Sequence, residues 1–147
     1  QLAQVVQARF AAHPHHVLGT LTAAGAPRLS GINVMVDDGE LWIGSMPGAR
    51  KAADLQRDPR CAVHSAPLDE TLVQPDVRVD ARADALEPDA AQYWLSAHGP
   101  QPDGEAPQEG EVFFLRLTAV SVTTVDGEFL RVTYWQPGAD VRVVERR

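Results

Sequence analysis

Gly44-Ser45-Met46-Pro47-Gly48-Ala49-Arg50-Lys51-Ala52-Ala53-Asp54-Leu55-Gln56-Arg57-Asp58-Pro59 is the stretch around which this chain is organised. Leu41-Trp42-Ile43 just before it is a short apolar run of strand type. Pro47-Gly48 is a turn dipeptide, and the alanine-rich residues after it have helix-forming composition. Asp58-Pro59 ends that helix, because proline has no N–H to donate and restricts the residue before it. Arg50 and Lys51 therefore fall on the first helical turn, beside unpaired backbone N–H groups and the positive end of the helix dipole. Cations are disfavoured there unless an anion joins them. Phosphate meets that need, since helix N-termini attract anions and arginine offers a planar fork of donors. Of thirteen basic residues only Lys51 is a lysine, a compact and strongly hydrated point charge in a chain that otherwise uses arginine. The competing reading of the pair is an ordinary solvated helix face.

On the N-terminal side, Leu2, Val5, Val6 and Phe10 have helical spacing, and residues 1–12 form a packing helix that ends before His13-Pro14. His13, His15 and His16 lack the repeated ligand spacing and the carboxylate or cysteine partners of a metal site, and no metal is expected. Residues 17–22 and 28–36 are the strands of a hairpin across a turn at 24–27. Alternation sets Arg28, Ser30, Ile32 and Val34 on one face of the second strand, and Leu29, Gly31, Asn33 and Met35 on the other. A glycine inside a strand, here Gly31, marks a close approach by a ligand or another backbone. Residues 37–39 turn the chain into a third strand, 40–45, which delivers it to the Pro47-Gly48 turn.

On the C-terminal side, residues 60–65 form a fourth strand, and 66–75 a loop. Residues 76–86 alternate cleanly, with Val77, Val79, Ala81 and Ala83 opposed to Arg78, Asp80, Arg82 and Asp84, so one face is buried and the other wet. Glu87-Pro88-Asp89 opens a helix carrying Tyr93, Trp94 and Leu95 as packing residues, ending near His98-Gly99. Residues 99–111 are an acidic loop rich in glycine and proline, expected to be mobile. Residues 112–125 and 129–135 are two long strands joined at Asp126-Gly127, and 141–144 a last short one.

At 147 residues the chain makes one domain, 1–147. A net charge of −7 argues against nucleic acid as a partner, which needs a clustered positive surface. No apolar run reaches the length of a membrane span, and no signal-peptide pattern opens the chain. Cys61 is the only cysteine, which excludes an internal disulfide and suits a reducing cytoplasm. It lies in an apolar strand and reads as a small core residue, not a nucleophile.

The count is about eight strands and three short helices, hairpin turns predominating, without βαβ alternation. That favours a mainly β fold, a closed or nearly closed antiparallel barrel of Greek-key-like order. Walker, G-x-G-x-x-G, G-x-S-x-G and zinc patterns are absent, and no paired catalytic carboxylates stand out. Any hard chemistry then belongs to a bound organic cofactor.

Gly48-Ala49-Arg50-Lys51-Ala52-Ala53-Asp54-Leu55-Gln56-Arg57-Asp58-Pro59-Arg60 resembles the signature of the pyridoxamine 5′-phosphate oxidase-like flavin-binding split β-barrels. Thr20 to Arg28 resembles their first hairpin, with its glycine turn and an arginine opening the second strand. The resemblance implies a homodimeric oxidoreductase acting on a small molecule, with two flavin mononucleotide (FMN) sites at the subunit interface, and the single cysteine adds the expectation of a cytoplasmic protein. By position, Arg28, Arg50 and Lys51 would hold the phosphate. Leu29, Ser30, Gly31 and Asn33 would run beside the flavin ring, and Gly44 and Ser45 would line the phosphate and ribityl side. Gly31 and Gly44 would leave room for the ring. Arg131 and Trp135 are weaker candidates for substrate contact, Trp135 by stacking from the neighbouring subunit. Three departures stand out: Asn33 and Ala49 where the oxidases carry lysine and serine, and Arg131-Val132-Thr133 without the histidine of the vitamin oxidase's Arg-x-His pair. The last argues against pyridoxine phosphate as substrate. A related branch uses the same barrel for the deazaflavin coenzyme, whose phosphate Arg50 and Lys51 would also accept. A non-catalytic flavin- or haem-binding module is the third expectation. No catalytic residue is assigned.

Overall fold

The alternation of residues 76–85 survives as burial. Val77, Val79, Ala81 and Ala83 face a continuous apolar core, and the charged residues between them face outward. The computed structural model describes residues 1–98 and 109–147. In chain order its elements are α1 (Leu2–Ala11), β1 (His15–Leu21), β2 (Pro27–Asp37), β3 (Glu40–Ser45), α2 (Arg50–Arg57), β4 (Arg60–His64), β5 (Asp76–Ala85), α3 (Pro88–His98), β6 (Glu111–Asp126), β7 (Phe129–Trp135) and β8 (Arg142–Arg146).

The strands run β3-β2-β1-β4-β5-β6, and β3 pairs with β6 to close a six-stranded antiparallel barrel. Closure leaves no free edge among these six along most of their length. β6 is sixteen residues long. Its first part pairs with β3 through Glu111–Phe114, and its later part carries β7 and then β8 as an extension of the sheet. A bulge at Asp80/Ala81 in the β5–β6 register lets the long strand bend between these two duties. Leu18, Ile32, Val34, Ile43, Val63 and Leu115 fill the barrel, and α1 and α2 add Val6, Phe10, Ala52 and Leu55 to the same core. On the outside, Trp94 and Leu95 of α3 pack on Trp42, Met35 and Val112. None of the described helices is long and apolar enough to cross a membrane.

The mainly β split barrel expected from the sequence is therefore present, with most boundaries within a residue or two. The first strand begins earlier, at His15, because Asn33 pairs with it. The last runs on to Arg146, because Leu130 on β7 supplies its partner. Residues 99–108 of the expected acidic loop lie outside the described residues.

Two buried polar side chains tie α1 and β1 to the loop after β4. Arg9 is only 4% exposed and donates to three backbone carbonyls, Pro75 (2.9 Å), Ala66 (2.9 Å) and Pro67 (2.8 Å). His16, 1% exposed, accepts the Ala66 N–H on Nδ1 at 3.0 Å. Its proton therefore sits on Nε2, where the Phe10 and His13 carbonyls accept it. Burial pushes the His16 pKa below its ordinary 6.5. The two carbonyls pull the other way, and the Arg9 guanidinium adds to the fall. The sign follows: the unfolded chain takes up a proton that the native imidazole refuses. Stability from this group is complete above about pH 6.5 and declines as pH falls below it. Unfolding free energies from urea titration of the wild type are expected to fall between pH 7.5 and 5.5 more steeply than those of His16→Gln, by up to about 1.4 kcal/mol per pH unit. Equal slopes would remove His16 from the account.

Candidate functional site

The barrel has a gap, and the chain's one lysine bridges it. β2 pairs with β1 along its whole first part, but with β3 only from Asn33 onward. Val34 N–H donates to the Pro14 carbonyl. Antiparallel alternation then turns the N–H and C=O of Leu29, Gly31 and Asn33 away from β1. Asn33 is met there by Gly44, whereas β3 ends at Ser45 and turns off through Met46, Pro47 and Gly48. Gly48 has φ of +72°, a conformation that suits glycine and lets the chain reverse into α2.

α2 takes the place that β3 vacates. Lys51 Nζ donates to the Gly31 carbonyl at 2.7 Å, and Arg28 Nε donates to Asp54 Oδ2 at 2.7 Å. These two ties lace α2 antiparallel to the free edge of β2. Ala49 is the N-cap and contributes no side-chain hydrogen bond, so the N–H groups of the first turn have no side-chain acceptor from it. Arg50 is exposed on the same turn and forms no hydrogen bond or ion pair among the described residues. The result is a helix start with a positive dipole end, an unengaged guanidinium and an ammonium held at the strand edge.

Asp54 is the anchor beneath it. Its side chain is 4% exposed. Oδ2 accepts from Arg28 Nε and from Thr20 Oγ1 (2.8 Å), and Oδ1 accepts from Arg57 Nη2 (2.9 Å), which also donates to the Leu21 carbonyl. Burial alone would raise this carboxyl's pKa, but the hydrogen bonds from Arg28, Thr20 and Arg57 outweigh it and hold it at about 2. Asp54 was not among the residues expected at the site from sequence. The available signal was an acid between Ala52 and Leu55, on the face of α2 that enters the core.

The remaining residues expected at the site divide into groups. Leu29 is 76% exposed on the outer face, and Ser30 is half-buried on the inner one beside Arg28. Gly31 does admit a close neighbour, but in the single chain that neighbour is the His15 imidazole, which occupies the space a side chain would need. His15 Nδ1 also bonds Asn33 Oδ1 at 3.1 Å. Gly44 is covered by Met35 and Leu95, and the Ser45 hydroxyl donates to the Met46 carbonyl. The space beside Gly31 is thus taken by His15, Gly44 has Met35 and Leu95 at ordinary contact distance, and the backbone edge at Leu29 and Gly31 is open.

Arg131 and Trp135 are elsewhere. Arg131 lies opposite Thr124 of β6, whereas Ser45, which leads into the α2 turn, lies opposite Glu111. Thirteen residues of β6 separate them, roughly 40 Å of extended strand. Arg131 is paired at the surface with Glu145 (2.7 Å) and Asp126 (2.9 Å). Trp135 borders an apolar cavity of about 440 Å³ with Leu2, Val6, Leu41, Leu117 and Val120. Arg142, whose guanidinium lies 5.4 Å over the Tyr134 ring, lines a neighbouring groove. Cys61 packs on the core and points its thiol at the Ala81 carbonyl, 3.6 Å away. Burial, with help from Asp80, pushes it up to about 12, so it stays a thiol.

Residues 2–127 match the family model of pyridoxamine 5′-phosphate oxidase. The heme binding protein from Mycobacterium smegmatis superposes with a TM-score of 0.72 at 20% identity, covering 92% of this chain. The match takes in 58% of that protein, so this chain spans less than two thirds of its length. PhzG from Burkholderia lata, solved with tetrahydrophenazine-1-carboxylic acid, gives 0.65 at 15% identity over 99% of this chain and 88% of the other. A pyridoxamine 5′-phosphate oxidase-related, FMN binding protein from Nostoc punctiforme gives 0.63 at 12%, over 99% and 94%. At these identities the likeness to the three structures is one of fold. No curated protein matches the sequence.

Proposed function

The chain belongs to the pyridoxamine 5′-phosphate oxidase family, and on that premise we propose that it binds FMN with the phosphate at the mouth of α2, between two copies of the chain, and passes hydride or electrons to a small-molecule substrate. The observation that carries this reading is the helix start: no side-chain cap, Arg50 unengaged, and Lys51 held beside it at the edge of β2. A phosphate dianion fits that donor set, because N–H groups, guanidinium and ammonium all lack a buried competitor for its charge. The planar part of the cofactor fits the open edge of β2, where Leu29 and Gly31 turn backbone donors and acceptors into the gap. FMN would supply the two-electron chemistry. The chain's part is to grip the phosphate, to offer the β2 edge to the ring and, through His15 and Asn33, to close one side of it.

The dimer enters because one chain leaves β7 remote from α2. Trp135 and the arginines near it can reach a cofactor at the α2 mouth only from a second copy. Since Asp126 and Glu145 neutralise Arg131, Arg142 is the better candidate to meet an anionic substrate from that side. The deazaflavin coenzyme also carries a phosphate and is the alternative occupant. Haem is a second reading, favoured by the fold shared with the Mycobacterium smegmatis protein.

Mass spectrometry of the small molecule released on denaturing the purified protein tests the proposal, together with titration of stripped protein with FMN, riboflavin and the deazaflavin coenzyme. FMN is expected to be released, and to bind far more tightly than riboflavin, which lacks the phosphate. Equal affinity for FMN and riboflavin, or a haem Soret band in place of a flavin spectrum, would overturn it.

A further inference from the structure

We propose that Asp54 is a positioning residue for the anion site, holding Arg28 from behind so that the Nη fork of its guanidinium is turned to the mouth of α2. The inference rests on the phosphate reading above. An arginine on a strand has several free rotors and about 2 kcal/mol of rotamer entropy to lose on binding an anion. Arg28 has already lost much of it. Its Nε is committed to Asp54 Oδ2 at 2.7 Å, its side chain is 28% exposed, and its Nη groups have no hydrogen-bond partner among the described residues. The carboxylate cannot swing, because Thr20 Oγ1 fixes the same oxygen from β1 and Arg57 Nη2 fixes the other from the last turn of α2. Asp54 follows Arg50 by four residues and Lys51 by three, so it sits one turn below both on α2. The bond to Arg28 therefore brings a third cation within a turn of the two at the helix start. Arg28 comes from a different element, and this carboxylate bond is what ties it to α2.

A structural role alone would make Asp54 a buried fastener between α2 and the barrel, and the two roles separate by measurement. Asp54→Asn keeps the shape but removes the charge and one of the two acceptor oxygens, so the amide cannot hold Arg28 and Arg57 together. Its FMN affinity is expected to fall about tenfold, the size of one misplaced charge-assisted hydrogen bond, with riboflavin affinity unchanged. Arg28→Ala should cost the wild type a similar factor but add little on top of Asp54→Asn, since the two residues act as one. In the free protein the Arg28 Nε–H resonance should shift on adding inorganic phosphate, and lose that response in Asp54→Asn. If Asp54→Asn only lowers the melting temperature and leaves the FMN affinity of the folded protein intact, the inference is overturned. A rise in affinity also overturns it, because Asp54 would then be competing for Arg28. Should the wild type ignore FMN yet show the phosphate response, the flavin reading falls and the positioning role stands. Absence of both removes both.

Discussion

Stripped of Arg50 and Lys51 together, the protein is expected to lose FMN affinity by about three orders of magnitude while keeping its fold. Each charge-assisted hydrogen bond to a phosphate is worth about 1.5–3 kcal/mol, or roughly tenfold to a hundredfold in affinity. Lys51→Ala should cost more than Arg50→Ala. Its ammonium is already held at the β2 edge by the Gly31 carbonyl, so little ordering remains to be done on binding, whereas Arg50 is free in solvent. Stability should move the opposite way at Arg50. A cation on the first turn of an uncapped helix opposes the dipole, and removing it should stabilise the ligand-free protein by about 0.3–1 kcal/mol. Stabilisation without FMN, combined with weaker binding of FMN, is the mark of a residue retained for its ligand. Isothermal titration and thermal melts of the single and double variants read both quantities. Loss of FMN affinity below threefold in the double variant would return Arg50 and Lys51 to the solvated-face reading.

That signature was legible because it is local. A turn, a helix start, a proline stop and two cations lie within sixteen residues, and each has its own sequence mark. The barrel was legible for a similar reason: period-two alternation in residues 76–85 and glycine turns at Gly25, Gly39 and Gly127 report directly on strands and hairpins. What could not be read is where partners lie far apart in the chain. Arg28 was expected to hold the phosphate with Arg50 and Lys51, and its bond to Asp54 depends on α2 filling the gap that β3 leaves. Gly31 was expected to make room for a ring, but the β1–β2 register brings His15 over it. Alternation says which face a residue occupies, not which neighbour bends across it. Arg131 lacked any sequence mark of its engagement, since Glu145 meets it only through the β7–β8 pairing.

Arg9 shows how much a long-range polar contact can matter to the barrel itself. Arg9→Met is expected to destabilise the protein by about 3 kcal/mol, lowering the melting temperature by roughly 6–12 °C. Methionine nearly preserves the apolar stem that α1 lays against the core, so the loss is polar in origin. The carbonyls of Ala66, Pro67 and Pro75 would each lose their donor where the guanidinium now fills the space. None of the described carboxylates forms a salt bridge with Arg9, so the contact depends on geometry: three divergent donors matched to three carbonyls of one loop. Lysine has the charge without the fork, and Arg9→Lys should recover less than half of the loss. The same loop segment meets His16 through the Ala66 N–H, so the two side chains hold residue 66 by its N–H and its carbonyl. Combining Arg9→Met with His16→Gln should therefore cost less than the two single changes together, because either one already releases residue 66. Strict additivity in urea titrations would show that the loop has two independent fastenings. A shortfall of about 1 kcal/mol would show that Arg9 and His16 close it as a unit.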